Sequence, residues 1–298
     1  MKQLVVLSGK GGTGKTTVTA ALAHLASQQA SVVLADADVD AANLELLLAP
    51  ETREAHDFRA GKLAVVDAER CQGCGRCREV CRFGGISIAS GSTNGKGHCQ
   101  VDPAACEGCA ACFYRCPEHA IRMVERFAGR WCLSETRFGP LVHARLFAGQ
   151  ENSGKLVTLV KLKAQEICLA RGADYLLVDG PPGIGCPVIA ACSRSDLALV
   201  VTEPTAAGAH DLERTLRLLD HFRVPALVCV NKWDVNPRRT ERIERDCADR
   251  GVAVVGRISF DTVVTEAMVR GATATEVSDG SVSRELGLIW AGVKAALG

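Results

Sequence analysis

The stretch Ser8-Gly9-Lys10-Gly11-Gly12-Thr13-Gly14-Lys15-Thr16-Thr17, SGKGGTGKTT, follows directly on the apolar run Leu4-Val5-Val6-Leu7. Gly9 to Thr16 matches G-x-x-x-x-G-K-[ST], lying where such a loop belongs, between a strand and a helix. Its glycines let backbone N–H groups of Gly11, Gly12, Thr13 and Gly14 turn inward around phosphate oxygens. The N-terminus of the next helix adds partial positive charge. Lys15 is expected to reach the β- and γ-phosphates, the Thr16 hydroxyl to ligate Mg²⁺, and Thr17 to touch the α-phosphate. One lysine suffices for this loop, yet it carries a second, Lys10.

Outward from the loop, residues 3–8 read as a strand and 15–29 as an Ala- and Leu-rich helix. SVVLADAD reads as a second strand, and Asn43 to Leu48 as part of a short helix. From about Gly61 to Arg126, cysteines, glycines and short turns dominate. Then GKLVTLVKLKAQEICLARG reads as a helix with Asn152 or Ser153 as N-cap, its start within Glu151–Lys155 falling on the ligand edge. YLLVDG, LALVVTE, ALVCVNK and VAVVGRI are nearly continuous apolar runs, as expected of parallel strands buried on both faces. Helices around 208–222, 238–250 and 262–270 separate them. The alternation predicts an α/β fold with a doubly wound, mostly parallel sheet. The cysteine-rich insert divides it into residues 1–60, 61–127 and 128–298.

The 298 residues carry a formal net charge of +1, which points to no tail for nucleic acid or membrane. The start, Met1-Lys2-Gln3, leads at once into a strand, so a signal peptide is not expected and a cytoplasmic location is. Fifteen cysteines in such a chain argue for metal ligands rather than disulfides. Cys168, Cys192 and Cys229 sit in apolar or helical surroundings and read as buried small side chains. His119 and His143 show no metal spacing.

Lys10 to Thr16 resembles the deviant loop K-G-G-x-x-K-[ST] of the MinD/ParA/Mrp and nitrogenase-iron-protein class of P-loop ATPases. The resemblance implies that Lys10 acts across a dimer interface, on the phosphates of the partner's ATP. Asp36-Ala37-Asp38-Val39-Asp40-Ala41-Ala42-Asn43 is similar to that family's first switch, which makes Asp38 the residue that orients or deprotonates the attacking water; Asp36 and Asp40 read as turn and capping residues. Asp179-Gly180-Pro181-Pro182-Gly183 is similar to its second switch, placing Asp179 on the Mg²⁺ side and the Gly183 N–H at the γ-phosphate. Asn231 matches the family's adenine-contacting asparagine, although Asn231-Lys232-Trp233-Asp234 also reads as the guanine-specifying N-K-x-D of GTPases. The longer loop match favours ATP over GTP.

Cys71-x₂-Cys74-x₂-Cys77-x₃-Cys81 is followed by Cys106-x₂-Cys109-x₂-Cys112-x₃-Cys116-Pro117. This resembles the bacterial two-cluster ferredoxin, in which the fourth cysteine of each run serves the other cluster. The resemblance implies one [4Fe–4S] cluster on Cys71, Cys74, Cys77 and Cys116 and another on Cys81, Cys106, Cys109 and Cys112, within an inserted α+β ferredoxin-like domain. A pair of zinc sites is the rival, since C-x₂-C also suits tetrahedral zinc. Cys81 departs from the pattern in being followed by Arg82, and the linker from Arg82 to Ala105 is long. Cys99 falls outside the ligand pattern and reads as a non-ligand. Cys186 lies where the nitrogenase iron protein has a bridging cysteine, but the other bridging position, near Asn152 or Ser153, is not cysteine; packing is the favoured reading.

The expected protein is thus a Mg²⁺-ATPase that dimerises on ATP, as a homodimer or with a paralogue, and that links its nucleotide state to electron transfer or to metal-cluster assembly through a redox or assembly partner. The alternative is an iron–sulfur carrier or redox sensor using nucleotide only as a dimerisation switch. Membrane attachment of the MinD kind is disfavoured, because the end SRELGLIWAGVKAALG has only Arg284 and Lys294 as cations.

Overall fold

In the computed structural model, which describes residues 1–89, 97–147, 149 and 152–298, β1 (Lys2–Ser8) leads into α1 (Lys15–Ser27), β2 (Val32–Asp36) and α2 (Leu44–Leu48). Next come β3 (Glu51–Val66), α3 (Arg76–Val80), β4 (Ile86–Ala89), β5 (His98–Val101), α4 (Ala111–Arg115) and β6 (Ile121–Thr136). β7 (Gly139–Leu146), α5 (Ser153–Arg171), β8 (Tyr175–Pro182), α6 (Cys186–Cys192), β9 (Leu197–Thr202) and α7 (Ala206–His221) follow. The described chain ends with β10 (Ala226–Asn231), α8 (Pro237–Asp249), β11 (Ala253–Ile258), α9 (Thr262–Val269), α10 (Ala274–Val277) and α11 (Ser281–Leu297). Residues 90–96 of the long linker and Glu151 lie outside the described residues.

Nine strands form one sheet in the order β11-β10-β9-β1-β8-β2-β7-β6-β3. β1 pairs in parallel with β8 and β9, and β2 in parallel with β8 and β7. Three strands, β3, β6 and β7, lie beyond the sequence-based expectation. β3 is the sheet's last strand and its residues 51–57 are exposed, so it lacks the apolar run that marks an interior strand. Packing divides the chain into two units, Met1–His56 with Arg130–Leu146 and Ser153–Gly298, and Asp57–Gly129 with Phe147–Asn152.

In the first unit, the apolar runs of β1, β2, β8 and β9 are buried on both faces, as parallel strands between helices require. Ala20, Ala21, Ala23 and Ala26 of α1 are fully buried, their small side chains letting the helix lie close on the sheet. α11 buries Leu286, Ile289, Trp290 and Val293 in the same core, so its apolar face is already covered. No helix among the described residues is long and apolar enough to cross a membrane. Asn152, expected as the cap of α5, has φ 81°, outside the extended geometry of an N-cap, and Ser153 is the first helical residue.

The second unit is small and built twice over. β4 and β5 pair antiparallel with Ile86 opposite Val101 and Ile88 opposite Cys99. The cysteine runs repeat at a constant offset of 35 residues, Cys71 to Cys106 through Cys81 to Cys116. Backbone geometry follows the same offset. Gly73 and Gly108 have φ 67° and 64°, Gly75 and Ala110 74° and 63°, Gly84 and His119 64° and 48°. A left-handed turn after the first cysteine of each run, a second before each five-residue helix and a third after it therefore recur. Ala64, Cys77, Ile86, Cys99, Cys112 and Ile121 form the unit's buried core.

Candidate functional site

β1, β2 and β8 are neighbours in parallel register, which sets Asp36 directly beside Asp179 at the carboxyl ends of the strands. The loop after β1 and the segments after β2 and β8 therefore meet at one edge of the sheet, where doubly wound folds bind ligands. A cavity of about 740 Å³ opens there, lined by Gly11, Gly12, Gly14, Lys15, Thr16 and Thr17 of the loop. Asp38, Asn43, Asn231 and Lys232 also border it, and Leu46, Ile258, Phe260, Val264 and Met268 give it an apolar side.

The loop is shaped for an anion. Gly12 and Gly14 have φ 81° and 89°, and α1 starts without a side-chain cap on its first N–H groups. The buried Thr13 hydroxyl has no hydrogen-bond partner. Uncapped N–H groups and an orphan hydroxyl at one helix start fit a bound phosphate group.

Behind the loop sits a charged cluster. Asp179 is fully buried, and its Oδ1 accepts from Lys15 Nζ at 2.9 Å and Thr19 Oγ1 at 2.9 Å. Its Oδ2 accepts from Thr16 Oγ1 at 2.7 Å. Lys15 Nζ is also 3.5 Å from Asp38 Oδ2. Burial works against the Lys15 ammonium, but Asp179, Asp38 and Asp36 outweigh it and hold its pKa above the ordinary lysine value. Burial, with Asp179 alongside, pushes Asp36 up to about 8. Burial also raises Asp38, with Lys15 opposing. The Thr16 hydroxyl and the Asp179 carboxylate, side by side next to the Lys15 ammonium, are hard oxygen donors of the kind Mg²⁺ takes. Asp36 also accepts from the backbone of Asp38 at 3.1 Å and of Leu44 at 3.0 Å, which holds the loop carrying Asp38.

Three of the expected ligand groups are engaged within the chain. Lys10 Nζ lies 3.2 Å from Glu203, which also accepts from Lys232 Nζ at 2.6 Å. The Gly183 N–H donates to Ser8 O at 2.9 Å. Asn231 Nδ2 donates one N–H to Thr13 O at 2.8 Å, and its Oδ1 accepts from Lys232 N at 3.0 Å. Sequence reasoning missed Glu203, Thr19 and Phe260. Thr19 stands four residues after Lys15 on α1, and Glu203 and Phe260 follow the carboxyl ends of β9 and β11, so helix spacing and strand ends were the available signals.

In the second unit the cysteines line two cavities. One is walled by Cys71, Cys74, Cys77 and Cys116, with Cys99 beside them. The other is walled by Cys81, Cys106, Cys109 and Cys112, with Ala64 in the corresponding place. Each cavity thus takes three thiols from one run and the fourth from the other. Backbone N–H groups point at sulfur in the first, from Cys99 to Cys71 Sγ at 3.5 Å and from Ala120 to Cys116 Sγ at 3.4 Å. A Cβ at Gly108 would sit 2.2 Å from Lys62 O, so only glycine fits that wall. Among the described residues no three or more His, Cys, Asp or Glu side chains form a group that could hold a metal ion. Cys168, Cys192 and Cys229 are buried, and Cys186, read from sequence as a packing residue, is instead exposed at the start of α6.

Residues 4–274 match the family described as the CobQ/CobB/MinD/ParA nucleotide binding domain. A Methanocaldococcus jannaschii protein described as uncharacterized is 32% identical over 234 residues, 78% of this chain and 79% of that one. The fold is similar to that of MinD from Pyrococcus horikoshii, solved with Mg-ADP, at TM-score 0.61 and 18% identity over 100% of this chain and 97% of that one. It is also similar to the Aquifex aeolicus MinC:MinD complex, at TM-score 0.60 and 21% identity over 99% of this chain and 96% of that one. A phosphate-shaped loop backed by a lysine and three aspartates, on a chain matched over nearly its whole length, makes this protein a member of the CobQ/CobB/MinD/ParA family and a P-loop ATPase.

Proposed function

We propose that this ATPase carries two [4Fe–4S] clusters and links its nucleotide state to electron delivery, or to metal-cluster assembly, on a partner protein. The observation that carries the reading is the crossed lining of the two cysteine cavities, three thiols from one run and the fourth from the other. That arrangement is the one two-cluster ferredoxins use. Cys71, Cys74, Cys77 and Cys116 would hold one cluster, and Cys81, Cys106, Cys109 and Cys112 the other. Such clusters, when bound, supply one-electron transfer.

At the nucleotide site, the backbone of Gly11 to Gly14 and the ammonium of Lys15 hold the phosphates, and Thr16 with Asp179 holds Mg²⁺. Thr16 Oγ1 and Asp179 Oδ2, now hydrogen-bonded at 2.7 Å, are the oxygens that would hold Mg²⁺, which would supply positive charge beside the phosphates. Asp38, at the cavity wall, orients the attacking water and takes its proton; burial that raises its pKa strengthens it as a base. The apolar side around Phe260 and Met268 takes the base of ATP. Gly183 reaches the γ-phosphate only by leaving Ser8 O, and Lys10 reaches a partner's phosphates only by leaving Glu203. ATP binding and dimerisation therefore compete with intrachain bonds at both positions, which makes the site a switch.

Exposure of Cys74 and Cys109 favours a second reading, a carrier that hands clusters on, since an edge open to solvent is open to an acceptor thiol. The test is anaerobic purification, iron and sulfide analysis, and ATPase assays with the clusters oxidised and dithionite-reduced. A turnover rate that changes with cluster state supports coupling. Equal rates together with cluster transfer to an apo-acceptor support the carrier. Iron-free protein of full ATPase activity sinks both.

A further inference from the structure

The two cysteine cavities are not equivalent. At the constant offset of 35 residues, Cys99 of β5 corresponds to Ala64 of β3, and each lines its own cavity. Neighbouring wall positions obey the same correspondence, Ile86 with Ile121 and Val66 with Val101. Cys99 is 1% exposed, and Ala64 2%. The Cys99 N–H donates to Cys71 Sγ at 3.5 Å, and the Cys99 side chain shares the wall of this cavity with Cys77. Ile88, across the β4–β5 ladder, fixes it in register.

We propose that Cys99 is a positioning residue that sets the two cluster sites at different reduction potentials. The inference rests on the reading that these cavities take iron–sulfur clusters. A thiol S–H is a weak donor. Donated from the buried cavity wall to a ligand sulfur, it stabilises the extra negative charge of the reduced cluster and raises that cluster's potential. Ala64 supplies no such donor to the other cavity. The site of Cys71, Cys74, Cys77 and Cys116 is therefore the higher in potential, and an electron entering at the other site moves towards it.

The experiment is a potentiometric titration followed by electron paramagnetic resonance, on the full anaerobically purified chain, with iron and acid-labile sulfide measured alongside. The parent protein should show two separate waves. Cys99→Ala should move the upper wave down without loss of iron, and Cys99→Ser, which keeps a donor, should stay near the parent. Ala64→Cys should raise the lower wave. Unmoved waves in Cys99→Ala overturn the inference. So does loss of about four irons per chain in that variant, because Cys99 would then be a ligand rather than a positioning residue. A parent chain holding far fewer than about eight irons overturns the cluster reading itself, a separate and distinguishable failure.

Discussion

Lys10 and Glu203 form an ion pair at 3.2 Å across the mouth of the phosphate loop, with Glu203 only 13% exposed and shared with Lys232. Burial alone would raise the Glu203 pKa, but the two lysines outweigh it and hold the carboxyl below its ordinary range, so it is charged at neutral pH. If Lys10 acts across a dimer interface, Glu203 restrains it in the monomer. Glu203→Gln should then strengthen ATP-dependent dimerisation by roughly threefold to fivefold, as loss of a partly exposed pair worth up to about 1 kcal/mol implies. Sedimentation equilibrium with and without ATP measures this. Weaker association in Glu203→Gln would instead make the carboxylate part of the interface.

Lys15 donates its ammonium to the fully buried Asp179, so its removal acts on stability as well as chemistry. Lys15→Ala should abolish ATP turnover while leaving cluster absorbance intact. It should also destabilise the nucleotide-free protein by about 3–5 kcal/mol, the cost of leaving a buried charge without its partner. Asp38→Asn should behave differently, binding ATP near normally but hydrolysing it about 10²–10⁴-fold more slowly, the range for a general base. Thermal melts and single-turnover ATPase assays separate the two variants; equal turnover in Lys15→Ala and the parent would remove the site assignment.

Much of this was legible in the chain and some was not. Leu4 to Leu7 and Leu176 to Val178 announce interior strands because burial on both faces demands unbroken apolar runs. The grouping of the cysteines that line each cavity was expected from the resemblance to two-cluster ferredoxins, since spacing alone also suits zinc. β3 stayed hidden because exposed Glu51, Arg53, Glu54 and Asp57 carry no hydrophobic period. Glu203 stayed hidden because its partners, Lys10 and Lys232, are remote in sequence and only the fold brings the three together. Cys99 looked like a bystander because its place is set by the β4–β5 pairing, not by motif spacing.

The repeat in the cysteine unit predicts unequal tolerance of its glycines. Ala110 already holds φ 63° at the position matching Gly75, and a Cβ at Gly75 meets nothing within 4 Å. Gly75→Ala should therefore cost about 1 kcal/mol and keep its cluster. Gly108→Ala would put a Cβ 2.2 Å from Lys62 O at φ 64° and should lose iron from one site. Iron per chain and melting temperature test the pair. Loss of iron in Gly75→Ala with retention in Gly108→Ala would contradict the structural repeat.

Arg137 ties α2 to α10, donating to Leu47 O at 2.8 Å, to Leu48 O at 2.9 Å and to both carboxylate oxygens of Glu276 at 2.6 and 2.8 Å. Glu276 also completes the capping box of α10 with Thr273. Burial would raise the Glu276 pKa, but Arg137 and the Thr273 donors outweigh it and hold it below the model-peptide value of 4.5. A carboxylate depressed on folding binds fewer protons in the native than in the unfolded chain, so its contribution is full above pH 4.5 and is lost as pH falls through the depressed native value. Glu276→Gln should therefore melt below the parent at pH 7, by roughly 2–4 °C for a loss of about 1 kcal/mol in a chain of this size. The gap should close as the pH falls below 4.5. A gap that stays constant to low pH would mean that packing, not charge, holds Glu276 to Arg137.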